Sequence, residues 1–284
     1  MGLFNGYLKE GPGIEKDAPK KKGIFLFFDV FFRKFFLLIK ANFLYFLVSI
    51  PYLALAIFVL SSMVSRGLGL EKVALSLENG EQISVILNIA ISLLLFNMFG
   101  SGPAGAGYAY VTRCFTRGEH TWVASDGFDK FKENFKNSLL LLVCDVIIIF
   151  IAMNALYFYS NFDAVSQGMM SILKYIIVLV FAIYMLAHIF AYQIMVTYEC
   201  NFKALIKNSF ILAMAKLPMC ILLTAITGFI CVMLTEYIGI ISVFIYGVLG
   251  MSLCRFPLEF YAARVIEKNI NTVSSNRSDE GAEQ

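Results

Sequence analysis

Long, uninterrupted runs of apolar residues dominate this chain and limit the folds open to it. Each run is near the roughly 20 residues that an α-helix needs to cross about 30 Å of hydrocarbon. The runs occupy residues 43–63, 83–99, 138–157, 172–196, 209–234 and 238–253. The sequence therefore predicts an all-α, polytopic membrane protein with six transmembrane helices.

The composition excludes an ordinary water-soluble domain. The 284 residues are 59% hydrophobic and 15% charged. Soluble domains average roughly 45–50% apolar and about 25% charged residues. A soluble fold of this length could not bury so much apolar surface, so the bilayer is the expected solvent.

Three short segments resemble one another, and each precedes a long apolar run. They are residues 35–44 (FFLLIKANFL), 131–140 (FKENFKNSLL) and 202–211 (FKALIKNSFI). Each has an apolar residue and then a lysine, four and five places after its first Phe; the lysines are Lys40, Lys136 and Lys207. A small or polar pair follows. We interpret the chain as three pseudo-repeated units, each an amphipathic foot followed by a transmembrane hairpin, with interfacial helices at about 23–40, 126–137 and 199–208.

The basic residues are distributed unevenly among the connections. All of the 23 Lys and Arg residues except Arg66, Lys72 and Lys174 fall on one side of a six-span topology. Cytoplasmic segments carry the excess of positive charge in membrane proteins. The pattern predicts that both termini and all three feet lie in the cytosol. Residues 1–22 would form a polar tail, 23–268 the membrane domain and 269–284 a disordered tail.

The first foot is unusually rich in phenylalanine. Residues 23–40 contain seven Phe residues interrupted by Asp29, Arg33 and Lys34. Aromatic rings in the headgroup zone and basic residues beside anionic lipid are typical of interfacial helices. A bilayer partner is one interpretation. The other is an aromatic face packed on the helical bundle, and the sequence does not choose between them.

Two charged residues occupy equivalent positions deep in two of the units. Asp145 and Lys216 each lie nine residues after the foot lysine, which is about 13 Å along a helix. A lone charge at that depth costs at least about 2.5–3.5 kcal/mol on insertion scales. We expect the two side chains to face the bundle interior and to pair. The alternative is that Lys216 extends to the interface while Asp145 is hydrated or bonds Arg255 or a serine.

A glycine-rich stretch interrupts the chain after the second apolar run. Residues 100–107 read GSGPAGAG, and the candidate residues are Gly100, Gly102, Pro103 and Gly105. No strand precedes them, so the literal GxGxxG spacing does not indicate a dinucleotide site. Small residues four apart favour close helix packing, with a new helix beginning near Pro103. A break that lines a substrate path is the alternative.

Residues that carry catalytic or metal chemistry are scattered. Glu119, His120, Asp126 and Asp129 match no ligand spacing for a metal, and the six cysteines contain no CxxC pair, so free thiols are expected. His188 is more simply a buried histidine bonded to a neighbouring helix than a proton relay. We therefore expect no enzymatic activity, catalytic residue, cofactor or metal. The basic residues fit the membrane topology, so nucleic acid is not an expected partner.

Several motifs together resemble those of the YesL family, which are bacterial integral membrane proteins carried as a domain of unknown function. The motifs are GPG at 11–13, the lysine run at 20–22, FFRKF at 31–35, GPAG at 102–105, and EHTW at 119–122 followed by FKENFK. The resemblance covers most of residues 10–200. It supplies no catalytic residues.

Members of that family are typically encoded beside carbohydrate ABC importers and polysaccharide-degrading enzymes. The resemblance therefore implies a multi-pass protein of the bacterial plasma membrane that assists carbohydrate uptake, with ABC permease subunits as partners. A stand-alone small-solute transporter or channel, with its path near residues 100–107, is the alternative.

Overall fold

The computed structural model describes residues 23–65, 102–161, 167–238 and 249–282, and every regular element within these ranges is helical. In chain order the helices are α1 (Gly23–Arg33), α2 (Phe35–Ser65), α3 (Pro103–Arg117), α4 (Ser125–Glu133), α5 (Phe135–Asn161), α6 (Gln167–Thr197), α7 (Phe202–Ala215), α8 (Leu217–Ile238) and α9 (Met251–Ala282). The predicted all-α class is confirmed for this part of the chain.

Helix α6 is the centre of the structure. It contacts α3, α5, α7, α8 and α9. Its second half is buried continuously from Tyr184 to Val196, whereas side chains of its first half, such as Tyr175 and Val180, are exposed. The main hydrophobic cluster therefore lies around the carboxyl-terminal half of α6, with Phe190 and Leu141 among its fully buried members.

A second hydrophobic cluster joins α1, α2, α3 and α9, and it resolves the two interpretations of the first foot. Phe27 packs on Phe256 and Phe260 of α9, with ring centroids 5.6 and 5.3 Å apart. On the other face of α1, Phe25 and Phe32 are exposed. The aromatic helix thus has two apolar faces: one covers the bundle, and the other is left uncovered by the described residues.

Among the residues that the structure describes, one helix is long and apolar enough to cross a membrane by itself, and it is α6 over Met169–Thr197. Phe202–Ala215 and Leu217–Ile230 meet the same criterion only when taken together, and they are bent by 89° at their junction. The predicted run at 83–99 and most of the run at 238–253 lie outside the described residues. The structure therefore supports one or two spans by length and composition, and six spans remain a prediction.

The first two foot-to-span junctions lie a few residues before the positions expected from the repeats. Lys34 separates α1 from α2, and Asn134 separates α4 from α5. Asn134 ends α4 with its backbone N–H and its side-chain Nδ2, which both donate to the carbonyl oxygen of Lys130. Lys40 and Lys136 consequently lie in the first turns of the long helices and are exposed.

The third junction departs further from the repeat. Helix α7 continues through Lys207 and the predicted boundary at 208–209, and the chain bends at Lys216 instead. The reason is Pro218, which has no backbone N–H and whose ring clashes with a continuing helix. It is therefore placed in the first turn of a new helix, α8. The predicted fifth span is thus two helices nearly at right angles.

The carboxyl-terminal helix extends into the segment predicted to be a polar tail. Helix α9 continues to Ala282, within residues 269–284. Extending an existing helix is much easier than nucleating one. The buried part of α9, which includes Phe256 and Ala262, provides that nucleus.

Candidate functional site

Polar side chains form a continuous buried group along one face of α6. Tyr184, His188 and Tyr192 are spaced four residues apart, which places them above one another on a helix. Their rings are adjacent, with centroids 5.1 Å apart for Tyr184 and His188, and 6.2 Å for His188 and Tyr192. We call this group, with its partners Asp145, Gln193, Arg255 and Glu259, the polar array; all seven side chains are buried.

One end of the polar array is an acidic residue from α5. The carboxylate of Asp145 is fully buried, and its Oδ1 accepts a hydrogen bond from the hydroxyl of Tyr184. The Nε2 atom of His188 lies 2.8 Å from the same oxygen, at ion-pair distance, although its direction is not that of a hydrogen bond. Asp145 Oδ2 and His188 Nδ1 make no hydrogen bond to any described residue.

The other end of the polar array is a buried ion pair on α9. The Nε and Nη2 atoms of Arg255 donate to Oε1 of Glu259 at 3.0 and 2.8 Å. Nη2 also donates to the carbonyl oxygen of Gly105 at 3.2 Å. The guanidinium carbon lies 4.8, 4.9 and 5.3 Å from the ring centroids of Tyr45, Tyr108 and Tyr192. A cation enclosed by three aromatic faces and a carboxylate is stabilised without water.

Gln193 connects the ion pair to α3. Its Nε2 donates to Oε2 of Glu259 at 2.6 Å and to the carbonyl oxygen of Ala109 at 2.9 Å. Three helices, α3, α6 and α9, are therefore linked by one side-chain amide. The i, i+4 spacing of Arg255 and Glu259 was the available signal for their pairing.

The glycine-rich stretch supplies the tight contact that the polar array requires. Gly102 has a positive φ of 72° and precedes Pro103, the first residue of α3. A β-carbon at Gly105 would lie 2.6 Å from Cε1 of Tyr192. The stretch therefore starts a helix and lets its backbone reach the array. Gly100 lies outside the described residues.

The structure does not bring Lys216 to Asp145. Lys216 lies at the bend between α7 and α8 and is exposed, while Asp145 faces Tyr184 and His188 of α6. The open alternative, in which Asp145 bonds Arg255, is not formed either, because Arg255 is paired with Glu259. The repeats placed Asp145 and Lys216 at the same depth, but the third unit bends before Pro218, so the two residues no longer occupy equivalent positions.

The turn between α3 and α4 is a second candidate site, and unlike the polar array it lies on the surface. Trp122 is 71% exposed, yet its backbone N–H donates to Oδ2 of Asp126 at 2.8 Å. Thr121 donates its hydroxyl to the same oxygen, and the hydroxyl of Ser125 donates to Oδ1. These bonds, led by that of Trp122, hold the pKa of the Asp126 carboxyl below its ordinary value of 3.8. The exposed indole is therefore carried on an ordered turn.

The acidic residues of that turn do not converge with another ligand. Within the described ranges, no three His, Cys, Asp or Glu residues are placed to hold a metal ion. Glu119 instead pairs with Arg117, and His120 packs its ring on Trp122. The described cysteines, Cys114, Cys144, Cys200, Cys220 and Cys254, are free thiols.

Comparison with known proteins gives one match, to part of the chain. Residues 83–156 match the model of a family described as "Protein of unknown function, DUF624". The matched stretch includes α3, α4 and most of α5, and so Gly105, Trp122 and Asp145. No curated protein and no solved structure matches the chain. The match covers less than half of the chain and brings no activity with it.

Proposed function

We propose that this chain is a six-span protein of the bacterial plasma membrane that assists carbohydrate uptake by associating with the permease subunits of a sugar ABC importer. The ordered, exposed Trp122 on the turn between α3 and α4 is the observation that carries the partner role. The resemblance to the YesL family supplies the class of partner. The partner role and the class of partner both require that the protein lie in a membrane, and separate observations support that location.

The membrane location is supported by apolar side chains that the described residues leave uncovered. On α5, Ile147 and Ile151 are exposed, and on α6 Leu179 and Val180 are too. Contiguous exposed apolar surface of this kind marks a membrane or protein contact. Lipid would cover these faces at no cost, and the exposed rings of α1 would enter the headgroup zone beside anionic lipid.

The partner role is supported by the chemistry of the turn. Tryptophan is enriched among residues that dominate binding energy, and an ordered backbone reduces the entropy lost on binding. Phe128 of α4, also exposed, lies under the ammonium group of Lys132 at 4.4 Å. The surface thus combines two exposed rings with positive charge on the side of the protein that carries the feet.

Accessibility labelling tests the topology. In a variant without native cysteines, Lys40→Cys, Lys136→Cys and Lys207→Cys should resist a membrane-impermeant maleimide in intact cells and react after permeabilisation. Lys72→Cys, in the connection between the first two predicted spans, is the matched control and should react from outside. Reaction of any foot cysteine in intact cells would overturn the topology.

Purification from native membranes tests the partner role. Importer permease subunits, identified by mass spectrometry, should co-purify with the wild type in mild detergent. Trp122→Ala should lose them. Tyr175→Ala should keep them, because Tyr175 is as exposed as Trp122 but belongs to the first half of α6 and not to the turn. Absence of permease subunits from the wild-type preparation would contradict the proposal.

One observation favours the alternative of a stand-alone solute transporter. The polar array touches the carbonyl oxygen of Gly105, inside the glycine-rich stretch that was the candidate path. Buried ionisable residues in membrane helices often mark transport routes. Proteoliposomes containing this protein alone separate the two functions: sugar or ion uptake is expected of a transporter and not of an accessory subunit.

A further inference from the structure

Asp145 has an unusual environment for a buried carboxylate. It is fully buried in α5, and the described polar side chains that meet it are a phenol and an imidazole, both from α6. Within the described ranges no lysine or arginine forms an ion pair with it. Buried carboxylates normally have a cation or a metal as partner. The compensation for the charge of Asp145 must therefore come from another source.

The charge balance of the pair identifies that source. An ionised Asp145 beside a neutral His188 would leave one uncompensated negative charge in the protein interior, which is strongly unfavourable. One added proton removes the net charge, whether it resides on the carboxyl or on the imidazole. In both states the hydroxyl of Tyr184 remains a donor to Oδ1, and Nε2 lies 2.8 Å from Oδ1, close enough for the charges of the two groups to interact directly.

We propose that Asp145 and His188 form a buried proton-binding site, with Tyr184 as its positioning residue. Its ligand is a single proton, taken from water and held on the carboxylate or on the imidazole. Asp145 Oδ2 and His188 Nδ1, which lack described partners, are the atoms through which the proton would enter and leave. This site is independent of any carbohydrate role.

The groups around the site are compatible with one mobile proton. Cys144 adjoins Asp145 on α5, and on α6 the nearest ionisable side chains are Tyr184 and Tyr192. Helix α7 contributes the ring of Phe210, 6.2 Å from that of Tyr184. From α9, Arg255 contacts Tyr192 of the stacked rings on α6, and its charge is balanced by Glu259. The array therefore places a neutral tyrosine between the site and the nearest ion pair.

Spectroscopy of the purified protein in nanodiscs at neutral pH tests the site directly. If the carboxyl holds the proton, the infrared spectrum contains the C=O band of a protonated acid that Asp145→Asn removes and Tyr184→Phe shifts. If the imidazole holds it, nitrogen-15 spectra contain an imidazolium signal that His188→Gln removes. The chain has only two histidines, so His120→Gln completes the assignment.

Each outcome of these spectra either supports or overturns the proposed proton-binding site. Loss of either signal with its variant supports the site and locates the proton. Asp129→Asn, at an exposed carboxylate on α4, is the matched control and should change neither signal. Should Asp145→Asn not fold, the shift in Tyr184→Phe identifies the band. A wild-type spectrum with neither a protonated carboxyl nor an imidazolium assigned to these residues would overturn the proposal.

Discussion

The ring of Tyr192 packs against Gly105, at a distance that leaves no room for a side chain. A β-carbon there would come within 2.6 Å of Cε1 and 2.9 Å of Cζ of the ring. The ring cannot easily retreat, because it is fully buried and the guanidinium of Arg255 lies on it. The contact holds α3 against α6 at the centre of the polar array.

Gly105→Ala is therefore expected to destabilise the protein. Overpacking costs about 1–3 kcal/mol, which outweighs the gain of up to about 1 kcal/mol from replacing a helical glycine. Gly228→Ala in α8 is the matched control, since a β-carbon there meets nothing within 4 Å. Thermal unfolding in detergent should show a lower midpoint for Gly105→Ala and an equal or higher one for Gly228→Ala. Equal midpoints would show that Tyr192 moves freely.

Gly107→Ala should separate α3 from α4. Its β-carbon would lie 2.5 Å from the carbonyl oxygen of Gly127, and backbone cannot rotate away. Gly127→Ala is the control across the same contact, because its β-carbon would meet Val111 at an ordinary 3.4 Å. The fluorescence of Trp122, the only tryptophan, reports on the turn between these helices. It should change in Gly107→Ala alone; a change in both variants would contradict the steric explanation.

Glu259→Gln is expected to be far more damaging than a comparable change at the surface. Removing one member of a buried pair leaves the other charge unpaired, at a cost of about 3–5 kcal/mol. The pair of Arg264 and Glu267 on the same helix is partly exposed, and pairs in contact with solvent contribute about 0–1 kcal/mol. Denaturation of Glu259→Gln and Glu267→Gln should differ by at least the gap between these ranges. Similar stabilities would show that water reaches Arg255.

The repeats in the sequence coincide with a shared pattern of burial in the structure. The small or polar pairs after the foot lysines end in Asn42, Ser138 and Ser209, and all three side chains are buried. Ser138 and Ser209 return their hydroxyl hydrogen bonds to the carbonyl four residues earlier in the helix. A sequence can show that a buried position needs a small side chain, or one that hydrogen-bonds its own helix, because this requirement depends only on nearby residues.

The sequence did not reveal the contacts of Asp145 in the same way. Its contacts, Tyr184 and His188, are 39 and 43 positions distant, and which face of α6 meets α5 depends on how both helices rotate. Lys216 was the expected partner because the repeat placed it at equal depth. The repeat did not reveal that Pro218 would turn the chain by 89° at that point. The spacing in the sequence predicted how far along its helix each charged residue lies. Which neighbouring helix its side chain faces is determined only by the packing.

The turn that presents Trp122 should weaken in acid. The pKa of Asp126 is below its ordinary value of 3.8 because the ionised carboxylate accepts the backbone N–H of Trp122. A lowered folded pKa means that the stabilisation is fully present above about 3.8 and is lost as the pH falls through the folded value. Trp122 fluorescence should therefore change on acidification below that pH and recover on neutralisation.

Asp126→Ala should remove this dependence on pH and leave the turn loosened at neutral pH, at a cost of about 0.5–2 kcal/mol, as for a lost helix cap. Asp129→Ala on the same helix should keep the wild-type response, since its carboxylate is exposed. If the fluorescence of Asp126→Ala still titrates like the wild type, another group controls the turn. Because the proposed partner surface is this turn, binding of permease subunits should weaken in Asp126→Ala as it does in Trp122→Ala.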